Sequence, residues 1–190
     1  MATSVLSNAL LLLDDRDLSG SANTVGLDFG AESQDETTIA KDTRIMKGGL
    51  KTVGLSAEGF FDGAIDSDLF GAVGVDGSLI SVAPGTSVGD VAYTFQSVLG
   101  QYTPMQGGVG DMAGFSLNAA SRNSLQRGSV LLKNDSVSSS GDGSTLNAGA
   151  ASSQITAILH VYDQTGGSSP TLDVTVESDS ADDFSGAETT

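Results

Sequence analysis

The sequence contains no cysteine, no tryptophan and a single histidine, His160. Without cysteine there is no thiolate nucleophile, disulfide or zinc–thiolate site, and a lone histidine excludes a multi-histidine metal centre. Basic residues are also few: 8 Lys and Arg stand against 24 Asp and Glu, which gives a formal net charge of −16. Because tight binding to a phosphate backbone requires clustered cations, this composition argues against such binding.

Long hydrophobic runs are missing as well. The longest, residues 9–13, is far shorter than the roughly 18–20 apolar residues of a membrane-spanning helix. Asp14 and Asp15 follow it directly and no basic residue precedes it, which is not the pattern of a signal peptide. We therefore expect no membrane partner.

The motifs of common enzyme classes are absent or incomplete. A Gly-x-Ser-x-Gly pattern occurs at 85–89, but it lies between two predicted strands, whereas a nucleophile elbow leads from a strand into a helix. There is no Gly-Lys-Ser/Thr phosphate loop, and the apolar surroundings of His160 are typical of a core or interface position. Acidic clusters at 14–17 and 179–183 lack the spacing of an EF-hand, so we interpret them as solvated turn carboxylates. A carboxylate pair for glycoside hydrolysis is normally flanked by aromatic residues, which make up only 5% of this chain. The sequence predicts no cofactor, no metal and no enzymatic activity.

Hydrophobic and polar residues alternate in several segments, as in β-strands with one face on a core. The alternation is clearest at 24–29, 52–58, 91–99 and 171–177, and shorter candidates occur at 6–13, 79–83, 112–117 and 128–133. Residues 155–162 are apolar on both faces, as expected of a sandwiched strand. Together with 25 glycines, many in Asp-Gly, Gly-Gly and Ser-Gly steps, the pattern predicts a mainly β fold, an antiparallel sandwich or barrel.

One short helix is predicted at 66–73. Asp66 or Ser67 could cap its first turn, and Leu69, Phe70 and Val73 would form its buried side.

Two long polar segments shape the predicted domain organisation. Residues 30–49 are too long for a hairpin turn, and residues 134–153 are rich in Ser and Gly. We expect a β core over 1–133 with an extended loop at 30–49, then a linker or loop at 134–153. Further strands at 154–190 either complete the sandwich or begin a second β unit that is truncated.

The few basic residues are unevenly distributed. Lys41, Arg44, Lys47 and Lys51 lie close together, and no Lys or Arg follows Lys133. An acidic body with one basic segment can bind copies of itself. On charge alone, ordinary surface lysines in a solvated loop are the favoured interpretation.

An ordered series of short motifs resembles the major tail (tail tube) proteins of long-tailed bacteriophages. The motifs are DLSG at 17–20, GL at 49–50, LSAEGFFD at 55–62, DLF at 68–70, VAPG at 82–85, GDVAY at 89–93, RGSVLL at 127–132 and SPTLDVTVES at 169–178. The resemblance covers nearly the whole chain, although relatives usually continue into further strands after the last motif.

The resemblance implies a β-sandwich or barrel with a short flanking helix and no enzymatic activity. It also implies hexameric rings that stack into a tube through which DNA passes, with a long loop reaching between rings. That loop corresponds to residues 30–49, so the candidate inter-subunit residues are Asp35, Glu36, Lys41, Asp42, Arg44, Lys47 and Lys51. The implied partners are further copies of the chain, tape-measure and tail-terminator proteins, and DNA in transient passage. The implied location is the virion tail, assembled in the host cytoplasm.

A second hypothesis is a capsid decoration or adhesin-like β module that binds a surface through its acidic turns. It predicts a monomer or trimer without tubes. A carbohydrate-active enzyme is a third hypothesis, disfavoured by the few aromatic residues.

Overall fold

The first eight strands of the chain form one antiparallel sheet. The computed structural model describes residues 6–133, 155–162, 172, 174–178 and 188–189. The elements are β1 (Leu10–Leu13), β2 (Arg16–Asp17), β3 (Ala22–Asp35), β4 (Met46–Phe60), α1 (Gly63–Ala72), β5 (Asp76–Ala83), β6 (Val91–Gln106), β7 (Gly114–Ser121) and β8 (Gln126–Ser129). The strand order is β2-β1-β5-β6-β7-β4-β3, and β8 pairs with β6. A separate pair joins β9 (Glu177–Ser178) to β10 (Glu188–Thr189).

The long strand β6 organises the sheet, because three strands pair with it. On one side lies β5, and on the other lie first β8 and then β7. The sheet curls, since β1 and β3, near opposite edges, contribute side chains to the same core. The predicted mainly β, antiparallel fold with one short helix is confirmed, in the form of an open, curled sheet.

The core lies on the inner face of this curled sheet. Phe95 and Leu99 of β6 pack with Phe115 and Leu117 of β7, and all four side chains are buried. Their spacing of two or four residues reflects the alternation that predicted these strands. Removing such side chains from water is the main favourable contribution to folding.

A second, smaller cluster covers part of the outer face. Leu10, Leu12, Ala83 and Val130 form it, and Tyr162 packs against it. This is why β1 is buried on both faces. Residues 155–162, predicted as a sandwiched strand, contribute Tyr162 to this covering layer but are not part of a β-ladder.

Helix α1 begins earlier than predicted. Asp62 caps it, because its Oδ1 accepts a hydrogen bond of 2.9 Å from the Ala64 amide. Leu69 is fully buried at 0% exposure, as expected, but Phe70 is 74% exposed and Val73 is 43% exposed. The predicted buried side of three residues is therefore wrong for two of them, because the helix contacts the sheet along a narrow stripe.

The structure describes only part of the segments predicted for the C-terminal region. Residues 134–153 lie outside the described part of the chain, so the proposed linker and domain boundaries stay predictions. Within the alternating segment 171–177, the described residues 172 and 174–176 are not in strands, and only Glu177 begins β9. None of the helices in the described ranges has the length and hydrophobicity that a membrane span requires.

Candidate assembly surface

The hairpin of β3 and β4 extends well beyond the sheet. β4 pairs with β7 only from Gly54 to Phe60, whereas its pairing with β3 continues out to Met46 opposite Asp35. Residues 29–52, which we call the arm, are exposed throughout. Half of the predicted loop at 30–49 is therefore strand, and residues 36–45 connect the two strands.

Specific hydrogen bonds hold the end of the arm. The Glu36 amide donates to the Ile45 carbonyl at 2.9 Å, and the Ile45 amide donates to Thr37 Oγ1 at 2.9 Å. The Thr37 amide donates to Asp35 Oδ1 at 2.9 Å, and hydrogen bonds from the Thr37 side chain and backbone lower the pKa of Asp35. The arm therefore ends in a defined turn.

All seven candidate inter-subunit residues lie in the arm. Asp35 ends β3, Lys47 and Lys51 lie in β4, and the others lie in the connection. The structure brings four of them together in pairs: Arg44 Nε lies 3.6 Å from Asp35 Oδ2, and Lys47 Nζ lies 3.8 Å from Glu36 Oε1.

The other candidates have different surroundings. Lys51 Nζ lies 5.9 Å from the centroid of the Phe29 ring, within reach of a cation–π contact. The Asp42 carboxylate accepts a hydrogen bond of 3.2 Å from the hydroxyl of Thr43. Among the residues that the structure describes, neither Lys41 nor Lys51 forms an ion pair. These two cations are therefore available to a partner.

The charge of the arm differs from that of the rest of the chain. It carries four acidic residues (Glu32, Asp35, Glu36 and Asp42) and four basic ones (Lys41, Arg44, Lys47 and Lys51). The arm is thus neutral, and the remainder of the chain carries the whole net charge of −16. Half of all cations of the chain lie in a hairpin that adds no net charge.

The arm also carries exposed hydrophobic side chains that the sequence interpretation overlooked. Phe29, Ile39, Ile45, Met46 and Leu50 are all solvent-exposed. They follow no regular period because neither face of the arm lies on the core. The signal available in the sequence was the presence of such residues within a segment otherwise interpreted as polar.

The single histidine joins residues 155–162, which contribute to the covering layer on the outer face, to the sheet. His160 Nδ1 lies 2.7 Å from the backbone oxygen of Asp14, which can only accept, so Nδ1 is the donor. Its Nε2 lies 2.8 Å from Ser81 Oγ, which is 3.0 Å from the hydroxyl of Thr94. Ser81 and Thr94 are buried. In a catalytic triad a carboxylate would bond to the other ring nitrogen of the histidine, whereas here that partner is the backbone carbonyl of Asp14. The arrangement is that of a structural contact, as expected for an interface histidine.

No cluster of three or more His, Asp or Glu side chains suited to a metal ion occurs among the described residues.

No protein-family profile matches the chain. No curated protein matches it either.

Solved structures do match the chain. A chain from the virion of a native gene transfer agent particle is 19% identical, with a TM-score of 0.51 over 64% of this chain and 95% of that one. A chain of a sheath/tube terminator from an extracellular contractile injection system is 10% identical, with a TM-score of 0.54 over 67% and 98%. A chain of the sheath–tube complex of such a system is 11% identical, with a TM-score of 0.51 over 65% and 89%. This chain therefore has a fold found in virion and tube assemblies, as the resemblance to tail-tube proteins implies.

Proposed function

We propose that the chain is a structural subunit that assembles with copies of itself into stacked, hexameric rings. The rings form a tail tube of the phage type, through which DNA passes during ejection. The solved structures of similar fold support this proposal, because they come from a virion, a sheath–tube complex and a sheath/tube terminator. The observation that carries it is the arm, which has no core of its own.

An isolated two-stranded hairpin is at best marginally stable in water. The arm nevertheless has strand pairing out to its end, with one register shift between Ala31 and Ser33, as well as closing hydrogen bonds and several exposed apolar side chains. Exposed apolar side chains concentrated in one element are typical of an interaction site. We infer that the arm is the element that contacts the neighbouring ring.

The charge distribution suits the same function. A channel that lets DNA slide must not bind its phosphates, and an acidic wall repels them. The neutral arm can approach an acidic neighbour without the repulsion that would oppose contact between two acidic surfaces.

The proposal extends to partners and location. Tape-measure and tail-terminator proteins are the expected partners, and the virion tail, assembled in the host cytoplasm, is the expected location.

Negative-stain electron microscopy across a salt series tests the proposal. The wild type should form rings or tubes of uniform diameter, and the double variant Lys41→Glu/Lys51→Glu should form fewer stacks at low salt. Lys41→Arg/Lys51→Arg keeps both charges and serves as the matched control. A wild type that stays monomeric at every salt concentration would contradict the proposal and favour the decoration-module hypothesis. Undiminished stacking of the Glu variant at low salt would exclude a charge contact by these two lysines.

A further inference from the structure

A second group of exposed apolar side chains lies where β6 ends and turns back into β7. Residues 105–112, which we call the tip, comprise the last two residues of β6 and most of the connection to β7. Met105, Val109 and Met112 are exposed, and none of them belongs to either core cluster. Phe60, half-exposed at the end of β4, lies beside it, because Phe60 pairs with Gly114.

The tip has a defined backbone. Asp111 Oδ2 accepts a hydrogen bond of 3.1 Å from the Gly108 amide, and the Asp111 amide donates to the Gly108 carbonyl at 3.1 Å. Gly107 and Gly110 have φ values of +138° and +99°, which favour glycine.

Met105 also has a positive φ, +54°. This conformation falls between Thr103 and Gln106, where the register of the β6–β7 pairing shifts, as in a β-bulge. The Met105 side chain is 71% exposed and lies outside both core clusters. The bulge therefore leaves an apolar side chain in solvent at the tip.

The tip and the arm lie at opposite ends of β4 in the described sheet. Strand β4 runs from the arm, at Met46, to the tip, at Phe60. The amide of Phe61 donates to the Ala113 carbonyl at 2.8 Å, which fixes the tip at this end. At about 3.3 Å per residue, β4 alone separates the two by roughly 45 Å. The arm of a chain therefore does not reach its own tip.

We propose that the tip of one copy is the surface that receives the arm of the next copy in the stack. This inference rests on the proposed function and names the acceptor that the arm requires. A contact between different surfaces of identical chains repeats head to tail, so it extends an assembly in one direction. Ile39 and Leu50 of the arm supply apolar surface, and the unbranched side chains of Met105 and Met112 adapt to it.

Charge favours the same pairing. Lys41, two residues after the exposed Ile39, has no ion pair within the described ranges. Asp111 lies in the tip, and Asp62 follows the end of β4 beside it. The chain outside the arm is acidic as a whole, whereas the arm is neutral and has this cation near its end. A second copy of the chain is therefore the occupant that fits both the apolar and the charged features of the tip.

Site-specific crosslinking tests the inference. Because the chain has no native cysteine, only the introduced thiols can react. The variant Ile39→Cys/Val109→Cys places one thiol on the arm and one on the tip, both fully exposed in the single chain. Assembled protein is treated with a short thiol-reactive crosslinker and run on a denaturing gel. We expect a ladder of dimers, trimers and longer products, whereas each single-cysteine variant can give at most dimers.

The matched control is Ile39→Cys/Val88→Cys. Val88 is also exposed but precedes β6, at the end of that strand opposite to the tip. A ladder with this control and none with Ile39→Cys/Val109→Cys would overturn the inference, because arms would then meet the wrong end of the neighbour.

The outcomes separate this inference from the proposed function. If microscopy shows tubes but Ile39→Cys/Val109→Cys gives no ladder, the acceptor is wrong and the tube assignment stands. If neither wild type nor variant forms rings or tubes, both fail. As a second measurement, Val109→Asp should raise the protein concentration needed for stacking by about tenfold or more, as for a central interface residue. Its melting temperature as a monomer should stay unchanged, and unchanged stacking of Val109→Asp would also overturn the inference.

Discussion

The two halves of strand β4 differ sharply in their surroundings. From Val53 onward its residues alternate between buried and exposed and pair with β7, whereas from Met46 to Thr52 every residue is exposed and only β3 is paired. Met46–Thr52 belong to the arm, and Val53–Phe60 belong to the rest of the sheet, which together with α1 we call the body. The core of this chain therefore stabilises only one half of the strand. Within the described residues the other half has only the pairing and hydrogen bonds of the hairpin itself, and in the proposed function it is stabilised further by contact with another copy.

The largest effect that separates body and arm is expected from truncating one aromatic ring in each. Phe95 is 1% exposed in the core, and Phe29 is 54% exposed in the arm. Phe95→Ala should lower the free energy of unfolding by about 3–5 kcal/mol, because it removes buried apolar surface and leaves a cavity. Phe29→Ala should leave the monomer within about 0.5 kcal/mol of the wild type, as for most surface substitutions.

Denaturant unfolding at concentrations where the protein is monomeric measures both changes. Similar losses for the two variants would mean that the arm is part of the cooperative folding unit, which would break the distinction between arm and body.

The body also contains a hydrogen bond from a tyrosine with a shifted pKa, and the arm contains no tyrosine. Tyr102 Oη donates a hydrogen bond of 2.9 Å to Asp66 Oδ1 of α1. Burial, together with this hydrogen bond and the charge of Asp66, raises the pKa of Tyr102 to about 12. The protonated phenol is thus favoured in the folded state, so its contribution to stability is fully present below about pH 10, the pKa of an unfolded tyrosine, and is lost as the pH rises towards 12.

Tyr102→Phe should remove this part of the alkaline loss of stability, as seen in melting temperatures between pH 9 and pH 12. Tyr93→Phe is the control that keeps the Tyr102 contact. If the two variants lose stability in parallel as the pH rises, the contact between α1 and β6 does not act as described.

Much of the body could be predicted from the sequence, because burial of one face leaves a visible period. Residues 52–58 and 91–99 alternate, and both lie within strands of the sheet. The arm could not be predicted as strand, since residues 46–52 have neither face buried and therefore show no alternation. The start of α1 was missed because Asp62-Gly63 also has the composition of a turn, and here Asp62 caps the helix.

The candidate site was predicted only in part. The length of the polar segment and the resemblance to tail-tube proteins located the arm, but the pairing of Arg44 with Asp35 depends on the hairpin register, which spacing does not give. Residues 155–162 were apolar on both faces, yet the sequence could not show that His160 would bond to Ser81, far away in the chain.

The most direct test of the central claim is to remove the arm and leave the body intact. Gly30 pairs with Thr52, so replacing residues 31–51 by an Asn-Gly turn should close the shortened hairpin. Sedimentation velocity and electron microscopy of this variant should show folded monomers or single rings and no tubes, with the melting temperature of the wild-type monomer, while the full chain forms tubes. Tubes from the shortened chain, or a full chain that remains monomeric in all salts, would contradict the account.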